Sequence, residues 1–260
     1  MSYQCVKIHS SDYLLTVTIS RPDARNALNN QTIRELITVF SSVTDNESTR
    51  CVLLTGAGSE AFCAGADLTE LESQTSPAAR RDFFRSVANL IQSIVSCPVP
   101  VVAAVRGFAL AGGCGLVAAC DIAVASDDAV FGLPEVGIGL APMVVLAPLQ
   151  QKVSPALLSV MSLRGERINA QRALEGGLVA QVVENSQLDN VATNLCRGII
   201  AQGPQAVRAT KKAIRDVRGA DLEEQMLELA DRSALVSISA EAVEGISSFR
   251  QKRSPSWREK

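Results

Sequence analysis

Three short segments of the sequence contain residue types that suit chemistry at a carbonyl group. Two of them, "EAFCAGADL" (60–68) and "GFALAGGCGL" (107–116), are rich in alanine and glycine, and each lies between a strand pattern and a helical pattern. Backbone N–H groups at the start of a helix are unpaired and carry the positive end of the helix dipole. Two such turns can each offer one N–H to an oxygen that becomes anionic during a reaction.

The third segment, "FGLPEVGIG" (131–139), places the carboxylate of Glu135 among apolar neighbours. Burial in such surroundings raises the pKa of a carboxyl group toward values at which it can exchange protons near neutrality. We therefore expect Glu135 to transfer protons. His9, the only histidine, precedes the first predicted strand and is far along the chain from these segments, and we expect it to be structural or exposed.

The segment at 107–116, extended to residue 118, also matches a loose dinucleotide-binding fingerprint, which would indicate a nicotinamide-dependent dehydrogenase. The run at 113–118 follows a strand-like segment, as that fingerprint requires. Its acidic residue should lie at the end of the next strand, where Asp127 and Asp128 stand, whereas Glu135 belongs to a separate loop. Too few strands follow to complete the usual sheet, so the sequence disfavours this alternative. No GxxxxGK[ST] phosphate loop is present.

The elements that must position these segments alternate between strand and helix. Apolar runs predict strands at 14–20, 51–56, 99–105, 121–126 and 177–183, and helical patterns lie at 30–43, 77–97, 112–120 and 155–163. This alternation predicts an α/β fold with largely parallel strands. The remainder reads as helices only, at 186–202, 205–217, 221–234 and 239–251.

The composition of the chain is that of a globular protein and excludes several functions. Its 260 residues, 47% of them hydrophobic, can form a large core, and a net charge of −2 argues against broad nucleic-acid binding. Seven scattered cysteines without a CxxC pair predict free thiols in a reducing compartment, and a single histidine offers little for a metal site. The polar start lacks a signal-peptide pattern, and Arg106 interrupts the longest apolar run, so we expect a cytoplasmic protein without a membrane span.

Four motifs together resemble a known family. "SRPDARNALN", "AFCAGADL", "GFALAGGCGLVAACDIAVASDDAVFGLPEVGIG" and "SLRGERINAQRALEGGLVAQVV" have the order and spacing seen in the crotonase family, also called enoyl-CoA hydratase/isomerase. The resemblance covers almost the whole chain. It implies a spiral of ββα units with two near-perpendicular sheets over residues 1–195, and a C-terminal helical trimerisation region over 196–260.

The same resemblance implies the ligand and the assembly. The expected substrate is an acyl-CoA, whose coenzyme A is part of the substrate, so no separate cofactor, metal, nucleic acid or membrane partner is expected. Active members of the family are homotrimers or hexamers built as dimers of trimers. We therefore expect one of these two assemblies for this chain.

The resemblance also implies site residues. In the family the thioester carbonyl lies between two backbone N–H groups, which by motif position are those of Ala66 and Gly112. The implied residues for binding of the substrate and its CoA are Arg25, Ala27, Ala64, Gly65, Ala66, Asp67, Leu68 and Gly112. A predicted helix face with Arg208, Lys211, Lys212 and Arg215 could also meet CoA phosphates, and the alternative for it is an ordinary solvated face.

Two features depart from the family pattern. After Pro142, where the family often continues with a glycine-rich helix start, this chain has Met143, Val144, Val145 and Leu146, so we expect that end of the pocket to be apolar and tight.

The other departure is the loss of an acidic residue. Hydratases of the family carry two glutamates; Glu135 matches the second, and Gly115 stands where the first should be. A single carboxylate suits a proton shift that moves a double bond from the 3- to the 2-position. Two alternatives stay open: hydration of a 2-enoyl-CoA with an ordered water in place of the missing acid, and an acyl-CoA-binding homologue without catalysis. We expect Gly115→Glu to raise hydratase activity.

Overall fold

The strands of the chain are arranged in two sheets. The computed structural model describes residues 3–43, 48–216, 240–241, 244–245, 248 and 251–258. Within these residues the strands are β1 (Val6–Ser11), β2 (Leu14–Ile19), β3 (Cys51–Gly56), β4 (Ala61–Cys63), β5 (Val101–Val105), β6 (Phe108–Leu110), β7 (Ile122–Ser126), β8 (Val130–Gly132), β9 (Arg167–Asn169) and β10 (Gln181–Val183). The larger sheet has the order β1-β2-β3-β5-β7-β10, and the smaller has the order β4-β6-β8-β9.

Nine α-helices can be delimited within the described residues, and five of them begin directly after a residue whose side chain caps the helix N-terminus. They are α1 (Asn30–Ser42), α2 (Leu68–Ser73), α3 (Pro77–Val95), α4 (Gly112–Ala119), α5 (Met143–Leu149), α6 (Pro155–Arg164), α7 (Ala170–Glu175), α8 (Leu188–Ile200) and α9 (Pro204–Asp216). Side chains that accept a backbone N–H three residues on cap α1, α2, α3, α6 and α7, and the caps are Asn29, Asp67, Ser76, Ser154 and Asn169.

The chain winds between the two sheets as a spiral. The long apolar strands β3, β5 and β7 lie side by side in the larger sheet, and each continues into a short strand, β4, β6 or β8, of the smaller sheet. Helices follow β4 and β6 directly. Neighbouring strands are parallel except for the β1–β2 hairpin and the β8–β9 pair. The predicted α/β spiral with two sheets is confirmed.

The sequence patterns locate most of the long elements, but they miss the six-residue strand β1 and most of the short elements. The five predicted strands are β2, β3, β5, β7 and β10, and the four predicted helices of the first part are α1, α3, α4 and α6. Strands β4, β6, β8 and β9 have only three residues each, too few to show alternation. The helices expected at 186–202 and 205–217 are α8 and α9, whereas the one expected at 221–234, and most of the one at 239–251, lies outside the described residues.

Helix α8 packs on the face of the larger sheet opposite the main core. Its buried residues Leu188, Ala192 and Cys196 join side chains of β3, β5 and β7 in a separate apolar cluster. The boundary expected between residues 195 and 196 therefore falls within this helix. All seven cysteines are buried and free, as predicted. Among the described residues, no helix is both long and apolar enough to cross a membrane.

Gly115 allows α5 to pack directly on α4. A Cβ atom placed on Gly115 would lie 2.4 Å from Cγ1 and 3.0 Å from Cβ of Val145, and 3.4 Å from Cδ1 of Ile91. Real Cβ atoms essentially never show contacts below 3.0 Å. Glycine is therefore required at position 115 by the packing of Val145, a β-branched side chain that has little freedom to move.

We expect Gly115→Ala to lower the free energy of unfolding by about 1–3 kcal/mol, because overpacking outweighs the better helix propensity of alanine. In the double variant with Val145→Ala the two losses should not add, and the coupling should be about 0.5–3 kcal/mol in favour of the double variant. Urea denaturation measures all four proteins.

The matched control for this cycle is Gly198→Ala in α8, where a Cβ would meet nothing within 4 Å. This substitution should be neutral or stabilise the protein, by at most about 1 kcal/mol. Strictly additive effects of Gly115→Ala and Val145→Ala would contradict the direct contact between the two positions.

Candidate active site

A cavity of about 530 Å³ lies beside the smaller sheet, between the two glycine turns, helices α2 and α3, and the segment that leads into α5. Its walls are apolar, with side chains that include Leu71, Phe83, Phe84, Val87, Leu140, Val144 and Val145. Glu135 and Arg167 are the only ionisable side chains among the residues that line this cavity. Most ligand sites have this character: apolar walls and a few placed polar groups.

The N–H of Ala66 is turned into this cavity by the pairing of its neighbours. Leu28 donates its N–H to the Gly65 carbonyl at 2.7 Å and accepts from the N–H of Asp67 at 3.0 Å, which forms a parallel bridge opposite Ala66. In such a bridge the groups of the central residue point away from the partner strand. The N–H of Ala66 has no acceptor among the described residues.

Gly65 has a backbone conformation that only glycine adopts readily. Its φ is +98°, and a Cβ there would lie 2.6 Å from the Cβ of Ala111 and 3.0 Å from the Leu110 carbonyl oxygen. The turn at 64–68 is thereby pressed against the turn that begins α4. This contact holds the two turns in one arrangement.

The second N–H belongs to Gly112, the first residue of α4. Ala111 precedes it with φ +51° and ψ −120°, a strained conformation for a residue with a Cβ, which turns the chain out of β6 into the helix. Ala111 donates its own N–H to the Gly132 carbonyl at 2.9 Å. The N–H of Gly112 has no acceptor among the residues that the structure describes.

The two N–H groups are neighbours across the contact between the turns. A Cβ placed on Gly112 would lie 3.9 Å from the nitrogen of Ala66 and 3.2 Å from Cδ1 of Leu28, in the space beside both donors. Two unpaired donors in an apolar cavity can bind an oxygen and stabilise negative charge that develops on it. A side chain at position 112 would enter that space.

Glu135 lies in a short 3₁₀ turn, Pro134–Ile138, and lines the same cavity. Its Oε2 is buried and has no hydrogen-bond partner among the described residues. Burial raises the pKa of this carboxyl group above its ordinary value of 4.5, opposed by a hydrogen bond to its own backbone. An unpartnered carboxylate oxygen with a raised pKa is suited to accept and return a proton.

Cys114, which lies next to Gly115, is not a nucleophile. Burial, with a contribution from the charge of Glu135, raises the pKa of its thiol to about 12. A thiolate is the reactive form of cysteine, so this side chain is inert near neutrality.

The space next to the Gly115 Cα is filled by the side chain of Val145. The expectation that Gly115→Glu adds a second acid meets an obstacle, because even the Cβ would lie 2.4 Å from Cγ1 of Val145. A glutamate cannot enter unless α5 moves. The single change is therefore expected to disrupt the packing of α5 on α4 before it can add an acid to the cavity.

The other residues expected at the site divide into two groups. Ala64 and Leu68 line the cavity together with Ala66, Gly112 and Glu135, whereas Arg25, Ala27, Gly65 and Asp67 do not. Asp67 caps α2 and pairs with Arg21, whose Nη2 lies 2.9 Å from Asp67 Oδ2. The role of Asp67 in this structure is to hold the turn.

Arg25 lies at the surface beside the same turn. Its Nε is 2.6 Å from Glu60 Oε1, and its carbonyl oxygen accepts the N–H of Ala64 at 3.0 Å. Ala27 offers its carbonyl oxygen to Nη1 of Arg21 at 2.6 Å. Arg25 therefore supports the 64–68 turn directly through its backbone, whereas Ala27 supports it through Arg21, which pairs with Asp67.

The basic residues of α9 are engaged within the chain. Lys211 Nζ lies 2.7 Å from Asp121 Oδ2 and 2.8 Å from the Val99 carbonyl oxygen, and its side chain is only 9% exposed. Arg208 donates to the Thr49 carbonyl, and Lys212 and Arg215 lie near Asp216. None of these four residues lines the cavity of its own chain. Their contacts within the chain favour a structural role for this helix face over binding of CoA phosphates.

Sequence reasoning missed Leu28 and Arg167 as parts of the site. It predicted the apolar end of the pocket that contains Val145, but not the contact between Val145 and Gly115. Leu28 stood in a quoted motif, but nothing in its type signalled that its backbone positions Ala66. Val145 follows the motifs and matters through one contact, with Gly115. Arg167 lines the cavity, and its guanidinium lies 5.8 Å from the centre of the Phe108 ring.

No group of three histidine, cysteine, aspartate or glutamate side chains within the described residues is placed to hold a metal ion. The expectation that the protein needs no separate cofactor stays a prediction.

Comparisons with known proteins agree with this geometry. The family model described as enoyl-CoA hydratase/isomerase matches residues 10–260. The chain is 32% identical to crotonyl-CoA hydratase of Syntrophomonas wolfei over 97% of both proteins, and 36% identical to the short-chain-enoyl-CoA hydratase of Clostridium acetobutylicum over 86% of this chain and 85% of that protein. A solved enoyl-CoA hydratase from Mycobacterium smegmatis superposes with a TM-score of 0.94 at 32% identity and covers 98% of this chain and 99% of its own.

The raised pKa of Glu135 predicts a pH-dependent effect of Glu135→Gln on stability. The folded state holds the carboxyl proton more tightly than the unfolded state, so this group favours folding at low pH, and that contribution is lost as pH rises through the folded-state pKa. Glutamine does not ionise. The variant should therefore unfold at higher urea concentration than the parent near pH 7, and the difference should shrink toward zero below pH 4.5.

The control for this pH series is Glu175→Gln, an exposed carboxylate on α7 outside the cavity. Its stability difference from the parent should stay small across the same range. A stability gain of Glu135→Gln that grows toward low pH would contradict the burial of the ionised carboxylate.

Proposed function

The chain belongs to the enoyl-CoA hydratase/isomerase family, whose enzymes act on CoA thioesters, and from that premise we propose that it forms an enolate of an acyl-CoA with Glu135 as its single proton carrier. The observation that carries the proposal is the meeting of three groups at one apolar cavity: the unpaired N–H groups of Ala66 and Gly112, and the unpartnered Oε2 of Glu135.

In this proposal the thioester carbonyl oxygen accepts hydrogen bonds from Ala66 and Gly112. These two donors stabilise the negative charge that moves onto the oxygen when a proton leaves the α-carbon. Loss of one such donor costs about 3–4 kcal/mol in other enzymes, so the pair supplies a large part of the rate enhancement. The low polarity of the cavity strengthens both bonds.

Glu135 is the group that takes the proton. For a 3-enoyl-CoA, its carboxylate accepts a proton from C2. The electron pair of that C–H bond forms a C1=C2 double bond, and the carbonyl π pair moves onto the thioester oxygen, which gives a dienolate that keeps its C3=C4 bond. Return of the same proton to C4 leaves the double bond between C2 and C3. Atoms and electrons balance without water or a cofactor, and the raised pKa of Glu135 suits both transfers.

Hydration of a 2-enoyl-CoA is the second candidate. The relatives named above are hydratases, which favours it, and the unpartnered Oε2 of Glu135 could orient a water. Against it stands the wall around Val145, where a second acid has no room. Isomerisation needs only the groups that are present, so we favour it.

The remaining expectations belong to the same proposal. CoA lies along the 64–68 turn, with Ala64 and Leu68 at the cavity and Arg25, Ala27, Gly65 and Asp67 supporting that edge. Residues 1–195 are the catalytic unit and 196–260 the trimerisation region of a homotrimer or hexamer. A cytoplasmic location fits seven free buried cysteines.

Glu135→Gln should lower kcat for isomerisation of 3-enoyl-CoA by about 10²–10⁴, because the amide cannot accept the α-proton. NMR in D₂O measures turnover and exchange of the α-proton in one experiment. Binding of the acyl-CoA, followed by calorimetry, should change little. Unchanged turnover would remove Glu135 from the mechanism, and binding without turnover by the parent across acyl chain lengths would indicate a catalytically silent homologue.

Gly65→Ala should lower kcat by about 10²–10³, because the new Cβ pushes Ala111 away and displaces the N–H groups of Ala66 and Gly112. Steady-state kinetics measures it, with Gly198→Ala as the control glycine in open space. A folded Gly65→Ala protein with the parent's kcat would contradict the role of the paired N–H groups.

A further inference from the structure

We propose that Val145 determines the reaction outcome by keeping water out of the cavity beside Gly115, so that the bound enolate is reprotonated at C4 and water does not add to C3 of the resulting 2-enoyl-CoA. This inference rests on the proposed function of Glu135 and assigns a specificity role to a residue outside the quoted motifs.

The side chain of Val145 has two faces. It lines the cavity, and it also covers Gly115, where its Cγ1 lies 2.4 Å from the position of an added Cβ. Only 3% of its surface is exposed. Val145 thus fills the volume that the missing side chain at position 115 would otherwise leave beside the substrate.

Once the thioester oxygen occupies the N–H groups of Ala66 and Gly112, the walls around Val145 offer a water molecule few groups to bind. An ordered buried water makes two to four hydrogen bonds, and empty cavities with apolar walls stay dry. Among the described residues that line this cavity, no side chain carries a hydroxyl or amide group. The one cation, Arg167, has its guanidinium 5.8 Å from the centre of the Phe108 ring. Oε2 of Glu135 is the one unpartnered buried side-chain oxygen at this cavity in the described residues, and a single acceptor does not hold a water.

Valine at position 145 excludes water because it fills space and because it lacks a polar group. Three substitutions separate these two effects. Alanine opens space without a polar group, threonine keeps the shape and adds a hydroxyl, and serine does both. The two rates to compare are hydration of a 2-enoyl-CoA and isomerisation of the matching 3-enoyl-CoA. Their ratio reports the reaction outcome, and a change in the amount of folded protein alters both rates alike.

The parent enzyme should isomerise and hydrate slowly. Val145→Ser should raise the hydration-to-isomerisation ratio about tenfold or more, since one additional hydrogen bond to water is worth about that factor. Threonine should give a smaller increase, and alanine the smallest. Val160→Ser and Val160→Thr, on α6 and outside this cavity, make the same chemical change and should leave the ratio at the parent value.

Two results would overturn the role of Val145: a parent enzyme that hydrates faster than it isomerises, or folded serine and threonine variants with the parent's ratio. Either is distinguishable from failure of the proposed function. In both cases Glu135→Gln would still abolish α-proton exchange if Glu135 is the proton carrier, whereas a parent without any exchange would refute the enolate mechanism itself.

Discussion

The site depends on one close contact between two turns. Gly65 and Ala111 approach so closely that a Cβ on Gly65 would lie 2.6 Å from that of Ala111. This approach is possible because Gly65 adopts a φ of +98°, and it brings the N–H groups of Ala66 and Gly112 to the same cavity. Both turns are held from behind: Leu28 pairs with the first, and the Gly132 carbonyl accepts the N–H of Ala111 in the second. The larger sheet and its helices supply the rigid support that the contact needs.

A second close contact, between Gly115 and Val145, determines the wall of the cavity beside Glu135. Glycine at position 115 lets α5 lie directly on α4, and Val145 fills the volume so released. The cavity wall beside Glu135 is therefore apolar, and burial raises the pKa of this carboxyl group. A site of this kind favours transfer of one proton between two carbons. Water addition needs a further polar group, which these walls do not provide.

The sequence predicted the long helices of the first part, the long strands other than β1, and the two glycine turns, because apolar periodicity and glycine clusters are local signals. The role of Glu135 was also predicted from a local signal, namely the apolar residues next to it in the sequence. The backbone pairing of Leu28 with the 64–68 turn and the contact between Val145 and Gly115 could not be predicted in this way, since each joins distant parts of the chain. The α9 cations show the converse: their spacing suggested a ligand, but Lys211 is buried against Asp121 and the Val99 carbonyl. Short strands such as β4 and β6 arise from the spiral and leave no pattern in three residues.

A crystal structure with a saturated acyl-CoA, a non-reactive thioester that keeps its carbonyl oxygen, tests the central claim most directly. The account predicts that the oxygen at the thioester position lies about 2.7–3.1 Å from the nitrogens of both Ala66 and Gly112. The α-carbon should face the carboxylate of Glu135, with no ordered water between the acyl chain and Val145. An ordered acyl chain in the cavity, with its carbonyl oxygen bonded to neither N–H, would contradict the account.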